Sequence, residues 1–130
     1  ESIELVGIDI PDGQVKAGEE IPLAFTWRAS SSPDVDYVVF IHLVDDKGEL
    51  VATFDRPPVG GSYPSHLWQA GDTVVDPHLV KIPKDLAQGS YELRAGWYRL
   101  DDLSRLPIVD AQGQVLSESF IPVIELEVTR

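Results

Sequence analysis

The sequence of 130 residues contains no cysteine and no methionine. Without cysteine the chain has no disulfide, no zinc–thiolate site and no cysteine nucleophile. The first residue is Glu1 instead of methionine, so we expect a piece cut from a longer protein. The length predicts one domain, residues 1–130, whose core is large enough to fold without a metal or a disulfide.

Basic residues are scarce as well. The chain has 10 Lys and Arg against 22 Asp and Glu, which gives a net charge of −12. The phosphates of nucleic acids and anionic lipid surfaces repel such a protein, so we predict no nucleic-acid partner. The uncharged apolar runs are far shorter than the ~20 residues of a spanning helix, so we predict no direct membrane insertion by this chain.

Helical periodicity is nearly absent, and alternation with a period of two takes its place. Residues 21–27, 91–97 and 120–128 alternate along much of their length between the two faces, which is typical of strands with one buried face. Residues 37–45 are apolar on both faces apart from His42, which predicts an interior strand.

Turns that contain glycine separate these runs, and the pattern predicts an all-β fold. We expect an immunoglobulin-like antiparallel β-sandwich of about 7–9 strands with one long ordered loop. Only residues 82–89 and 101–106 have the composition of a helical turn. Tyr91 follows a turn glycine, where sandwiches often place a corner tyrosine. Trp27 and Trp97 are predicted to lie in the core.

Motifs for catalysis are lacking, and we predict no catalytic residue. The sequence has no Gly-x-Ser-x-Gly motif, no Gly-rich phosphate loop and no closely spaced ligand set for zinc. Structural calcium is the one cofactor that stays open, because Asp45, Asp46 and Glu49 offer hard oxygen ligands at a strand end. The alternative is that these acids are solvated turn residues, a position that aspartate favours.

Two polar residues interrupt apolar faces. Asp76 shares a face with Val80, and His42 shares a face with Phe40. A half-buried carboxylate needs a partner, and His42 or Arg56 can provide one. The pair is then either a hydrogen-bonded contact that holds the neighbouring loop, or part of a polar site beside that loop.

The long loop, residues 55–72, has no apolar period, and its prolines and large apolar side chains argue against disorder. In a structural interpretation, Tyr63 and Trp68 fold back over an open edge or end of the sandwich, and the first two loop residues anchor the path. In a binding interpretation, exposed aromatic rings stack on a sugar and charged groups bond its hydroxyls. The predicted ligand-binding residues are Asp55, Arg56, Tyr63, His66, Trp68, His42 and Asp76.

A series of residues between about 37 and 113 has a familiar order and spacing. It consists of His42, Leu43, Asp45, Asp55, Pro57, Pro58, Gly61, Tyr63, Pro64, Trp68, Gly71, Asp72, Asp76, Gly89, Tyr91, Gly96, Tyr98, Leu106, Pro107 and Asp110. The series resembles the soluble C-terminal domain of bacterial multi-spanning membrane proteins of the glycosyltransferase type, relatives of the lipid-linked-sugar mannosyl- and aminoarabinosyl-transferases. His66 and His78 lie outside this pattern.

The resemblance implies a non-catalytic accessory domain on the extracytoplasmic face of a bacterial membrane, within an integral membrane protein. The transfer chemistry would lie in the membrane part of that parent protein. The implied partners are a carbohydrate and the membrane part itself. The alternative is a purely structural or protein-interaction module of immunoglobulin-like fold with no ligand of its own. A third hypothesis, an independent enzyme or inhibitor, requires a cleft with two buried acids that perturb each other.

Overall fold

The computed structural model describes residues 3–33, 35–106, 108–109 and 120–129. Within these residues it contains nine strands, two short 3-10 helices and no α-helix. The strands are β1 (Ile3–Asp9), β2 (Gln14–Lys16), β3 (Glu20–Ala29), β4 (Tyr37–Asp45), β5 (Leu50–Thr53), β6 (Thr73–Lys81), β7 (Gly89–Arg99), β8 (Ile108–Val109) and β9 (Ile121–Thr129). The 3-10 helices are Pro58–Gly61 and Ser65–Leu67. The predicted all-β sandwich is confirmed.

The strands form two sheets. The four-stranded sheet has the order β6-β3-β1-β8, and the five-stranded sheet has the order β2-β9-β7-β4-β5. The long ladders are antiparallel, whereas the short strands β8 and β2 pair in parallel with β1 and β9. The core lies between the two sheets and takes the alternate residues of each long strand.

The alternation along β3 is confirmed, since Ile21, Leu23, Phe25 and Trp27 are all buried. Trp27 meets Trp97 of the opposite sheet edge-on, with ring centroids 5.0 Å apart. Both indoles are fully buried, as predicted. These aromatic contacts join the two sheets across the core.

β4 is an interior strand, as its apolar pattern predicts. It lies between β7 and β5, and seven of its nine residues are buried, all except His42 and Asp45. Phe40 points away from the core yet is only 1% exposed. Something must therefore cover the outer face of β4, and the covering groups form the site described below.

Three prolines lie within strands, each at a point where one side of the ladder is vacant. Pro77 belongs to β6, an edge strand. Pro22 lies beyond Ala24, the last partner of β1 on β3. Pro122 precedes Glu127, where the pairing of β9 with β2 begins. Because proline has no N–H to donate, these are positions where it does not break a ladder hydrogen bond.

The turns agree with the sequence-based predictions at Tyr91 and Gly48 and differ from them in two segments. The Tyr91 hydroxyl donates a 2.7 Å hydrogen bond back to the carbonyl of Ala87, which confirms the corner tyrosine. Gly48 has φ of 80° in the β4–β5 turn. The predicted helical turns are wrong, since residues 82–89 and 101–106 contain no helix and the two 3-10 helices lie in the long loop. Proline and tight turns there favour short 3-10 pieces.

Candidate functional site

Trp68, at the end of the long loop, is a core residue. It is 1% exposed, and its indole N–H donates a 3.0 Å hydrogen bond to the carbonyl of Tyr63. Its ring meets Trp97 edge-on at 5.7 Å between centroids, and the Tyr63 ring stacks on it at 6.1 Å. The prediction that Trp68 stands exposed to stack on a sugar is wrong, because the side chain is buried in the core. The structural interpretation of this residue is confirmed.

Tyr63 and His66 do not supply an aromatic platform together. The half-buried Tyr63 donates a 2.9 Å hydrogen bond to Asp72, and this bond raises the pKa of the phenol. His66 is exposed, and its Nδ1 lies 2.6 Å from the carboxylate of Asp36. Tyr63 and Trp68 therefore pack together within the loop, whereas the exposed His66 pairs with Asp36.

Asp76 is fully buried and accepts three hydrogen bonds. The donors are the backbone N–H of Val59 at 2.7 Å, the ring of His78 at 2.7 Å and the indole of Trp27 at 3.2 Å. We call these four residues the Asp76 clamp. The prediction that Asp76 pairs with His42 or Arg56 is wrong. His78 lies two residues along the same strand, on the same inward face, whereas His42 lies outside the other sheet.

The hydrogen bonds of the clamp define the state of His78. Its Nε2 faces the carboxylate, and its Nδ1 has no hydrogen-bond partner in the described part of the chain. The neutral tautomer with the proton on Nε2 satisfies this arrangement, because Nδ1 then has no proton that needs an acceptor. A buried carboxylate with three donors is the kind of satisfied polar group that a fold tolerates in its core.

The clamp holds the start of the long loop. Val59 has φ of 53°, a left-handed conformation that is unusual for a β-branched residue, and Asp76 bonds its N–H. Arg56 pairs through its backbone with Val39 at 2.9 and 3.0 Å. Gly60 has φ of 62°, a left-handed conformation that favours glycine. The predicted anchoring by Arg56 is confirmed through its backbone.

A second group of polar residues is open to solvent on the outer face of the five-stranded sheet. A shallow cleft of about 290 Å³ lies there. We call its lining the outer-face cluster: Phe40, His42, Asp55, Tyr98, Leu103 and Arg105. Strands β4 and β7 and the first residue of the long loop place the first four of these. The segment after β7 turns back along it and pairs Arg105 with Tyr98.

Phe40 forms the floor of the cluster. The Arg105 guanidinium carbon lies 4.6 Å from the centre of its ring, within the range of a cation–π contact. The rings of His42 and Tyr98 have centroids 4.6 and 6.5 Å from that of Phe40. The strand partner of Phe40 on β7 is Gly96, which brings no side chain to this row. The missing side chain leaves room for the guanidinium over the ring.

The electrostatics of the cluster keep both a hydrogen-bond donor and an acceptor on His42. Burial lowers the pKa of His42, Asp55 opposes the shift, and the guanidinium groups of Arg105 and Arg94 reinforce it. The imidazole is therefore neutral at pH 7. The Tyr98 hydroxyl lies 3.3 Å from the Asp55 carboxylate, and burial followed by that carboxylate raises the pKa of the phenol.

The cluster thus presents a carboxylate, a guanidinium, a neutral imidazole and a phenol around one aromatic floor. Of the seven ligand-binding residues predicted from the sequence, it brings together only His42 and Asp55. Sequence reasoning missed Arg105, which follows a loop and has no periodic signal. Tyr98 could have been found, because it alternates with Trp97 along β7 and therefore points outward.

The acids proposed for calcium serve a turn. The Asp45 carboxylate accepts hydrogen bonds of 2.9 Å from the backbone N–H groups of Lys47 and Glu49. In the ranges that the structure describes, no three His, Asp or Glu residues are grouped so that they could hold a metal ion. Asp46 and Glu49 are exposed beside this turn. The arrangement is that of an Asx turn between two strands.

Comparison with known proteins gives a fold and no family. No family model matches the sequence, and no curated protein matches it. Among solved structures, the chain is similar to the C-terminal domain of wzt, with a TM-score of 0.64 and 15% sequence identity. The match covers 98% of this chain and 74% of that chain. At this identity the likeness concerns the fold alone. No helix among the described residues is long and apolar enough to cross a membrane.

Proposed function

We propose that this chain is a non-catalytic domain that binds a glycan in the outer-face cluster and positions it for a membrane-embedded parent of the glycosyltransferase type. The observation that carries the proposal is the cluster itself, an open cleft with four different hydrogen-bonding groups around an aromatic floor. The domain would act at the extracytoplasmic face of a bacterial membrane.

The chemistry of the cleft suits a sugar. A sugar ring offers hydroxyls that both donate and accept, together with a less polar C–H face. Asp55 accepts, Arg105 donates, and neutral His42 does both. Tyr98 adds a half-buried ring with a polar tip, the kind of side chain that is common at binding surfaces. In the part of the chain that the structure describes, the Tyr98 hydroxyl is the one hydrogen-bond partner of the Asp55 carboxylate, so acceptor sites remain for a ligand.

The parent and the location follow from the sequence resemblance, and they complete the proposal. The residues that resemble the glycosyltransferase-associated domain include Trp68 and Asp72 of the long loop, and Asp76 of β6, which accepts a hydrogen bond from Val59 of that loop. The similarity of the fold to the C-terminal domain of wzt supports an accessory module. Among the described residues, Asp76 is the one buried acid, and its carboxylate is fully engaged in the clamp. The two interacting acids that hydrolase chemistry would require are therefore not seen there.

The test is a titration of the isotopically labelled domain with a panel of oligosaccharides, followed by NMR. We expect shifts centred on the outer-face cluster and a loss of most of the affinity in Tyr98→Ala. Tyr63→Phe is the matched control, because it removes a tyrosine hydroxyl that bonds within the long loop. If no glycan in the panel shifts the cluster, or if Tyr63→Phe weakens binding as much as Tyr98→Ala, the proposal fails.

A second candidate function, protein interaction, is favoured by the outer face of the four-stranded sheet. Val75, Leu79 and Ile10 are 60%, 54% and 42% exposed there. Leu79 and Ile10 line a cleft of about 680 Å³ together with Pro22 and Pro77. Exposed apolar surface of this kind is typical of interaction sites. In the full-length parent, Leu79→Ser would then loosen the contact of this domain with the membrane part and leave glycan binding unchanged, which cross-linking can measure.

A further inference from the structure

We infer that the outer-face cluster selects a sugar residue that carries a carboxylate, with Arg105 as the group that recognises it. This inference rests on the proposed function and narrows its ligand to an acidic glycan. The carboxylate would lie against the guanidinium, and the hydroxyls of the same sugar would face Asp55 and Tyr98 across the cleft.

Arg105 is positioned in advance for such a contact. Its guanidinium lies over the Phe40 ring, while the side chain as a whole is exposed. The N–H groups of a guanidinium form a planar fork that can donate two parallel hydrogen bonds to a carboxylate. The contact with Phe40 limits the freedom of the Arg105 side chain before the ligand arrives, which lowers the entropic cost of binding.

Arg105 also lacks the partner that other arginines of this chain have. Three arginines form ion pairs with carboxylates at 2.9 Å or less, and they are Arg28, Arg94 and Arg99. Within the described ranges, Arg105 forms no ion pair although the protein has a net charge of −12. Its pairing capacity is therefore available to a ligand.

The charges around the cleft favour a ligand group with one negative charge over a group with two. The whole protein repels anions, so an acidic sugar binds only where a local cation outweighs that repulsion. Arg105, over the Phe40 ring, supplies the cation of the cluster. Asp55, beside Tyr98, supplies its negative charge. A dianionic phosphate would meet more repulsion from Asp55 and from the rest of the protein than a carboxylate would.

The experiment compares oligosaccharides that differ only in a glucuronate or a glucose residue, by calorimetry at low and at physiological salt. We expect the acidic form to bind about tenfold tighter, as for a hydrogen bond to a charged group, with an advantage that shrinks as salt rises. Arg105→Gln should remove the advantage, and Arg105→Lys should keep part of it. Arg28→Gln is the control, since it makes the same charge change in the other sheet.

The outcomes separate this inference from the proposed function. If the glucuronate and glucose oligosaccharides bind equally, and Arg105→Gln does not change their affinities, the inference of an acidic ligand is overturned while glycan binding itself stands. No binding of either form, with no NMR shift at the cluster for any glycan, overturns the proposed function as well. Tighter binding of the matched sugar phosphate than of the glucuronate overturns the choice of carboxylate. We expect the melting temperature of Arg105→Gln to equal that of the wild-type domain. Such a result excludes misfolding as the cause of a loss of binding.

Discussion

Two clusters in this molecule each contain an aspartate and a histidine, and they have opposite surroundings. Asp76 and His78 are buried, and Asp76 accepts three hydrogen bonds. Asp55 is exposed, and its carboxylate accepts one hydrogen bond, of 3.3 Å, from a described residue. Near it, His42 is partly buried. The same residue types therefore serve the fold in one place and remain available to a ligand in the other.

Burial is what separates the two roles. A buried carboxylate is tolerated only when donors replace its lost water, so its bonding capacity is used up by the fold. An exposed carboxylate keeps water as a partner, and a ligand can replace that water at little cost. Substitutions in the Asp76 clamp should therefore change stability, and substitutions in the outer-face cluster should change binding.

The largest expected effect is that of Asp76→Ala. It leaves the N–H groups of Val59, Trp27 and His78 buried without an acceptor, and we expect a loss of about 4 kcal/mol in the free energy of unfolding. Urea unfolding followed by circular dichroism measures it. Asp76→Asn keeps one carbonyl acceptor and should lose clearly less. A loss below about 1 kcal/mol for Asp76→Ala would show that the clamp does not hold the loop.

Trp68→Phe should have the next largest effect. The change removes the hydrogen bond from the indole to Tyr63 and leaves unfilled volume beside Trp97. We expect a loss of about 2 kcal/mol in the free energy of unfolding, with glycan binding retained at temperatures where the variant is folded. Wild-type Trp68 should also be shielded from iodide quenching. An unchanged melting temperature, or free quenching, would contradict the buried position.

Asp55→Ala should lower stability by less than about 0.5 kcal/mol, because exposed substitutions seldom cost more. The same variant should weaken glycan binding several-fold, since it removes the carboxylate acceptor of the cleft. Urea unfolding and calorimetry on one sample compare the two quantities. If Asp55→Ala instead destabilises the domain and binds glycan with normal affinity, the two aspartates do not differ in role as we expect.

The smallest effect concerns the pH dependence contributed by His42. Because burial lowers its pKa below the ordinary 6.5, the folded state favours the neutral ring. The stability from this group is fully present above pH 6.5 and is lost as the pH falls through the folded-state pKa. NMR titration of the imidazole should show a midpoint below 6.5. Arg105→Gln should raise that midpoint and Asp55→Asn should lower it, and shifts in the opposite directions would contradict the electrostatic account.

Much of the fold could be predicted from the sequence, but less of the candidate site. The interior strand, the buried tryptophans and the corner tyrosine all follow from alternation and turns within a few residues. The partner of Asp76 was assigned to distant residues, although His78 on the same strand face satisfies it. Arg105 reaches Phe40 only because the chain reverses after β7, and nothing in its neighbouring residues indicates that reversal.

By itself, the sequence determined which residues face inward on β3 and β7, because alternation along a strand is a local property of the chain. It also determined that the long loop would be ordered, through its prolines and its large apolar side chains. Only the tertiary structure decided that Trp68 lies inside and that Phe40, His42, Asp55, Tyr98 and Arg105 meet. Those contacts depend on the register between strands distant in sequence, and a shift of one residue would turn each side chain to the other face.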